Sequence, residues 1–443
     1  MASILILGAG RSSSALIDYL LRRASEFNWR VTVGDVSVAA ARDRIGNSSH
    51  GVAVAFDILQ ESSNEIIQES DVVISLLPAP LHPEVARKCL LFGKHLLTAS
   101  YVSNEMKSFH AEAKHKGLLF LNECGLDPGI DHMSAMQVID RIRNDGGDLY
   151  SFESFTGGLI APDTDPGNPW RYKFTWNPRN VVMAGQGTAK FLQNGQYKYI
   201  PYQQLFKRIT PVSVPGFGDY EGYANRDSLK YRETYGLEKI KTMLRGTLRN
   251  RGFCSAWDVL VQLGCTDDTY LLDDVGNMTH RDFINSFLDY HATLTAEEKL
   301  TQKFQLKLEG AELQRLQWSG LFEKQLVGLS KGTPAQILEH ILNKRWKLVA
   351  DDRDMILMWH RFRFMKEGKS REIQASLVTL GENAIQTAMA KTVGLPLAIA
   401  AKLLLHGKIK ARGVVIPVTR EIYEPILLDL KALGIELREI EIL

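Results

Sequence analysis

Cysteine is scarce in this 443-residue chain: Cys89, Cys124, Cys254 and Cys265 lie far apart, and no Cys-x-x-Cys pair occurs. That spacing indicates neither a disulfide framework nor a zinc site, so reduced thiols and no metal are expected. Long apolar runs are missing too, none reaching 18 residues, and no membrane span is expected. Neither sign of charge is in large excess, since the net value is +2. Bulk charge therefore gives no reason to expect nucleic acid or a membrane surface as partner. No basic, Arg-rich or cleavage-like segment separates Met1 from the first apolar run, and a cytoplasmic protein is the expectation. What remains is an ordinary globular composition, 45% hydrophobic and 23% charged, in a chain long enough for two or three domains.

The most informative stretch is Ser3 to Asp35. It reads as an apolar strand (Ile4, Leu5, Ile6, Leu7), a glycine turn (Gly8, Ala9, Gly10, Arg11, Ser12, Ser13), a helical face (Leu16, Ile17, Leu20, Leu21) and a second strand ending at Gly34 and Asp35. A strand, glycine turn and helix in that order suit a dinucleotide. Gly8 permits the tight turn, Gly10 lets pyrophosphate approach the backbone, and the helix N-terminus faces the negative charge. Asp35 stands where an acid accepts hydrogen bonds from the adenosine ribose. The usual third glycine is replaced by Ser13.

The same rhythm continues through short apolar runs at 52–56, 72–77, 96–97 and 118–121, which favours a parallel sheet buried on both faces. Their C-terminal ends deliver Asp57, then Leu77 and Pro78, then Ala99, Ser100 and Tyr101, then Glu123 to Asp127, all to the edge where open α/β sheets bind ligands. The Pro and Gly of Gly125-Leu126-Asp127-Pro128-Gly129-Ile130-Asp131-His132 force a turn, and Asp131 is expected to cap a helix starting near His132. Taken alone, Asp127 reads as a turn residue; its place at a strand end beside the cofactor crevice makes a functional acid an equal reading.

A second domain is expected to begin with the alternating run from Leu149 to Phe155, with further strand-like runs at 171–176, 355–364 and 373–380. Between residues 171 and 251 there are 15 Lys or Arg against 5 Asp or Glu, an excess of 10 positive charges. These residues are scattered without a nucleic-acid-binding motif, so a pocket for a small polyanion is the better reading. Arg226, Arg245 and Arg249 offer guanidinium forks suited to carboxylates. Residues 264–340 are acidic, with helical periodicity and almost no strand signal, and read as a helical insertion. Near the end, Glu382 to Thr392 reads as one helix and the residues up to Leu405 as another, with Gly394 and Pro396 between them.

Several stretches together resemble the glutamate-forming saccharopine dehydrogenase (saccharopine reductase) family: Gly8-Ala9-Gly10, Ser75-Leu76-Leu77-Pro78, Thr98-Ala99-Ser100-Tyr101, Gly125 to His132, Gly157-Gly158-Leu159, Tyr172-Lys173-Phe174, Asn225-Arg226-Asp227-Ser228 and Arg245-Gly246-Thr247-Leu248-Arg249. Ile160 stands where relatives are expected to carry proline. The resemblance implies an α/β protein with a variant Rossmann domain, a second α/β domain with a mixed sheet, and a small helical insertion. We place the Rossmann domain at 1–127, completed by about 381–443. The substrate-binding and dimerisation domain takes 128–263 and about 345–380, and the insertion 264–344. The implied reaction is nicotinamide-dependent oxidation of saccharopine, a tricarboxylate, to L-glutamate and α-aminoadipate semialdehyde, with a homodimer as the assembly.

By the same resemblance, Ser100, Tyr101, Asp127, Arg226, Thr247, Leu248 and Arg249 are expected substrate contacts. Gly8, Gly10, Arg11, Ser12, Ser13, Asp35, Leu77, Ala99, Ser100 and Leu126 are expected cofactor contacts. For the proton-moving role Asp127 and Tyr101 rank first, ahead of Cys124 and His132. NAD is expected over NADP because Asp35 would repel a 2′-phosphate. Arg11, with Arg42 or Arg44, is the feature that argues for NADP. Other readings are an enzyme like carboxynorspermidine or lysine dehydrogenase, whose substrates carry fewer carboxylates, and a non-catalytic nucleotide-binding regulatory protein.

Overall fold

The computed structural model describes residues 1–442, which form two compact units. The first comprises residues 1–149, 365–369 and 377–439. Its sheet holds β1 (Ala2–Leu7), β2 (Trp29–Asp35), β3 (Gly51–Ala55), β4 (Val72–Ser75), β5 (His95–Thr98), β6 (Leu119–Leu121) and a late strand, Gly413–Val415. Across the sheet the order is Gly413–Val415, β6, β5, β4, β1, β2, β3, and every neighbouring pair is parallel. Continuous apolar runs such as Ile4–Leu7 and Val72–Ile74 are fully buried, as strands covered on both faces require. The order reverses direction between β1 and β4, the switch point where such sheets bind ligands beyond the strand ends.

Ser14–Phe27 is the helix after the glycine turn, with Leu16, Ile17, Leu20 and Leu21 buried and Asn28 closing it in the left-handed conformation. It packs against Ala388–Leu405, one continuous helix rather than the two expected. The reason lies in packing. A Cβ on Gly394 would stand 2.9 Å from the Leu16 Cβ and 3.0 Å from the Leu16 amide nitrogen, so this glycine allows two helices to approach and ends neither. Pro396 sits inside the helix, whose burial outweighs one lost backbone hydrogen bond. This is the one helix among the described residues long and apolar enough to cross a membrane, and 78% of it is buried inside the protein.

The helix expected near His132 runs Ile130–Asn144, so Asp131 lies in its first turn, where its carboxylate accepts the Gly129 N–H at 2.6 Å. That helix belongs to the first unit, packed against Arg420–Ala432, with the Tyr423 hydroxyl donating to Asp140 at 2.7 Å. The first unit therefore extends to Leu149, beyond the boundary at 127 drawn from sequence.

The second unit comprises residues 150–364, 370–376 and, among the described residues, 440–442. Its mixed sheet of nine strands runs Thr210–Val214, Gly218–Ala224, Thr242–Asn250, Asp148–Ile160, Asp354–Lys366, Lys369–Leu380 and Arg438–Ile442, with the hairpin Ala189–Gln193 and Gln196–Ile200 paired to Thr242–Asn250. Thr242–Asn250 is antiparallel to Gly218–Ala224 and parallel to Asp148–Ile160. The alternating run 171–176 forms no strand. Tyr172 and Phe174, with Trp170, are buried in an aromatic cluster with Phe253, Trp257 and Trp346. Between them Lys173 pairs with Asp165 at 2.9 Å and Asp352 at 2.8 Å. Alternation here comes from anchoring a loop, not from a pleat. Residues 264–346 carry the helices His280–Asn285, Ala296–Phe304, Ala311–Trp318 and Pro334–Trp346, three of them opened by capping boxes on Thr279, Thr295 and Thr333.

Candidate active site

The glycine turn is built for close approach. Gly8 has φ +100°, and a side chain there would press on the Leu76 carbonyl at 3.2 Å, while the space beside Gly10 is open. Arg11, Ser12 and Ser13 form a short 3-10 turn leading into Ser14–Phe27; Arg11 is exposed, and the Ser13 hydroxyl donates to the Gly10 carbonyl at 2.8 Å. No side chain caps either helical start. An open glycine face beside uncapped N–H groups fits a pyrophosphate.

Asp35 is engaged within the chain itself. One carboxylate oxygen accepts the Ala9 N–H at 2.7 Å and the other the Ser37 N–H at 2.8 Å, so the acid ties the end of β2 to the turn. Arg44 reaches the same turn, its Nε donating to the Ala9 carbonyl at 3.4 Å. Leu77 and Ala99 follow β4 and β5, half-buried, and Leu126 is buried beyond β6. Gly125 lies so close to Ala99 that a Cβ on it would stand 2.8 Å from the alanine's own.

A polar chain follows at the same strand ends. Ser75 Oγ lies 3.0 Å from His82 Nδ1, and His82 Nε2 lies 2.8 Å from Ser100 Oγ and 3.2 Å from Thr98 Oγ1. Only 3% of His82 is exposed, and burial lowers its pKa to about 4, so the neutral ring joins these hydroxyls as donor on one nitrogen and acceptor on the other. Tyr101 Oη donates to Asp127 Oδ1 at 3.2 Å, which brings the two leading candidates for proton transfer into contact. The runners-up fare differently. Cys124 is fully buried with its thiol pKa pushed far up, which removes it as a base, and His132 Nε2 is bonded to Glu123 at 2.9 Å. Sequence reading missed His82 and gave Glu123 no role beyond its place among the strand-end residues; the only signal for His82 was its place at a helix start.

In the second unit, Thr247, Leu248 and Arg249 lie on Thr242–Asn250. Successive side chains of a strand alternate in face, so Leu248 points away from its two neighbours. It packs on Gly157, where a Cβ would meet the Leu248 carbonyl at 2.7 Å. Arg249 is 4% exposed. Its guanidinium lies 4.9 Å from the Tyr172 ring centre, 5.2 Å from Phe253 and 5.7 Å from Tyr223. One guanidinium nitrogen donates to the Leu248 carbonyl at 2.9 Å, Nε has no partner, and among the described residues no carboxylate is paired with it. The desolvated Tyr172 phenol beside it has its pKa raised to about 12. Arg245 stacks on Tyr231 at 4.6 Å and accompanies Arg226 through the Asn225 N–H, which donates to the Arg245 carbonyl at 2.9 Å. Arg226 itself is exposed, with φ +42°.

Residues 4–121 match the family model described as saccharopine dehydrogenase NADP binding domain, and residues 125–435 match the saccharopine dehydrogenase C-terminal domain. The chain is 33% identical to the Schizosaccharomyces pombe saccharopine dehydrogenase [NADP(+), L-glutamate-forming], over 99% of each chain. It is 35% identical to the bovine mitochondrial alpha-aminoadipic semialdehyde synthase over 98% of its own length, but spans about half of that relative, 47%. The solved structure of apo saccharopine dehydrogenase (L-Glu forming) from Saccharomyces cerevisiae superposes with a TM-score of 0.90 at 30% identity, covering both chains fully.

Proposed function

Because this chain belongs to the saccharopine dehydrogenase family, we propose that it oxidises the CH–NH bond of saccharopine to give L-glutamate and α-aminoadipate semialdehyde, preferring NAD to NADP. The observation that carries the proposal is Arg249, a guanidinium buried against three aromatic rings with no carboxylate partner among the described residues. Burying a charge without a counter-charge costs several kcal/mol, and a carboxylate-rich substrate supplies that counter-charge. Arg226 and Arg245, on neighbouring segments, support a second carboxylate contact.

The bound dinucleotide supplies the hydride acceptor. The residues of the chain do the rest. Asp127 accepts the proton of the secondary amine as its carbon loses hydride, Tyr101 holds the Asp127 carboxylate in line, and Ser100, oriented by neutral His82, donates to substrate. Water then adds to the resulting imine and the C–N bond breaks, the proton on Asp127 returning to the leaving amine. Asp35 supports NAD through its charge at the ribose end of β2, whereas Arg11 and Arg44 are the groups that would favour a 2′-phosphate; the Schizosaccharomyces pombe relative carries NADP(+) in its name, and the family model matching residues 4–121 is described as an NADP binding domain. Saccharopine added with NAD or NADP should raise the absorbance of the reduced cofactor, faster with NAD. No reduction with saccharopine, but reduction with lysine or carboxynorspermidine, would replace this substrate by one with fewer carboxylates.

A further inference from the structure

Glu123 stands just beyond β6 with φ +55° and 1% of its surface exposed. A left-handed backbone is unfavourable for any residue with a Cβ and persists only where surrounding contacts over-determine it. Two of those contacts hold the segment around Tyr101. The Glu123 N–H donates to the Ser100 carbonyl at 3.1 Å, and its Oε1 accepts the Val102 N–H at 2.9 Å. One residue thus holds the carbonyl before Tyr101 and the amide after it. Its Oε2 lies 2.9 Å from Nε2 of His132, which is fully buried on Ile130–Asn144, the helix that follows the Asp127 turn. The adjacent Cys124 N–H donates to the Thr98 carbonyl at 3.2 Å and keeps the two turns in register.

We infer that Glu123 is a positioning residue that clamps the Tyr101 backbone on both sides and so sets the Tyr101 hydroxyl against Asp127. The inference rests on the proposed function for the roles of Tyr101 and Asp127, but the clamp itself is a matter of geometry.

Two measurements on the full-length protein test it. In a double-mutant cycle, Glu123→Gly frees the backbone and removes the carboxylate. It should lower kcat on saccharopine by about 30-fold or more, with the Kd for NAD changed less than about threefold; in a Tyr101→Phe background the same change should cost less than about threefold. Equal losses in both backgrounds, or an unchanged kcat, would show that Glu123 is merely structural. Should Glu123→Gly not fold, Glu123→Asp, which withdraws the carboxylate by one methylene, takes its place in the cycle. The second measurement is amide hydrogen exchange across residues 100–102, expected to speed up by about tenfold or more in Glu123→Asp. Unchanged exchange overturns the clamp even if the wild-type protein proves inactive on saccharopine, an outcome that would defeat the functional proposal alone.

Discussion

The Tyr101 phenol donates to the Asp127 carboxylate across 3.2 Å, although the two residues leave different strands and lie 26 positions apart. A phenol held on a carboxylate leaves that carboxylate a fixed direction from which to take a proton. Asp127→Asn keeps the shape and removes the base. Its kcat should fall by about 10²- to 10⁴-fold with the thermal midpoint nearly unchanged. A folded Asp127→Asn with normal turnover would return the residue to the role of a turn former.

Arg249→Ala should raise KM for saccharopine far more than Arg226→Ala. The first guanidinium is buried and the second exposed, and a charge-assisted carboxylate contact is worth roughly 1.5 to 3 kcal/mol when desolvated. Steady-state kinetics at saturating NAD measure the pair. NAD affinity should move in neither variant, and a comparable loss there would remove Arg249 from substrate recognition.

Asp35→Ala is expected to act twice. It removes the charge that disfavours a 2′-phosphate, narrowing the preference for NAD, and it leaves the Ala9 and Ser37 N–H groups without their acceptor, weakening both cofactors. Fluorescence titration with each dinucleotide separates the effects. If NADP is preferred by the unmodified protein, Arg11 and Arg44 outweigh Asp35.

His82 gives a pH signature. Folded, its pKa is about 4 because burial disfavours the imidazolium; unfolded, it returns to about 6.5. Between those values the unfolded chain binds the extra proton, so stability is full above about pH 6.5 and declines as pH falls toward 4, by on the order of 3 kcal/mol. Chemical denaturation across that range should show a flatter profile for His82→Gln, which also loosens Ser100 and should lower kcat.

Gly394→Ala should destabilise the first unit in spite of alanine's helix propensity. The propensity gain is about 1 kcal/mol, but the new methyl meets the Leu16 backbone at 3.0 Å, and forcing packed helices apart costs about 1 to 3 kcal/mol. A raised midpoint in urea would show that the two helices yield easily.

What was legible beforehand follows from locality. The glycine turn, Asp35 and the strand-end residues could be read because a parallel strand, a turn and a helix each carry a short-range pattern. The Arg171–Trp176 loop imitated a strand, since alternate side chains anchored in an aromatic cluster give the same period of two. Gly394 and Pro396 looked like a helix break because the glycine answers to a neighbour, Leu16, nearly 380 residues away in sequence, and the proline is tolerated by the burial of its helix. His82 escaped notice, and Glu123 was placed at the ligand edge without a role, for the same cause: partners such as Ser100 come from another strand end, and nothing adjacent in sequence announces them.

The Ser14 hydroxyl donates to the Ile385 carbonyl at 2.8 Å, bridging 371 positions of chain. On a ribosome adding ~5–20 residues per second, roughly 20 to 70 s pass between the emergence of these two partners. Throughout that interval the helix after the glycine turn lacks the helix that covers it, and its apolar face is open to other nascent chains. The two helices that build the nucleotide cradle are thus made 371 residues apart, and vectorial synthesis leaves the earlier one waiting for its cover.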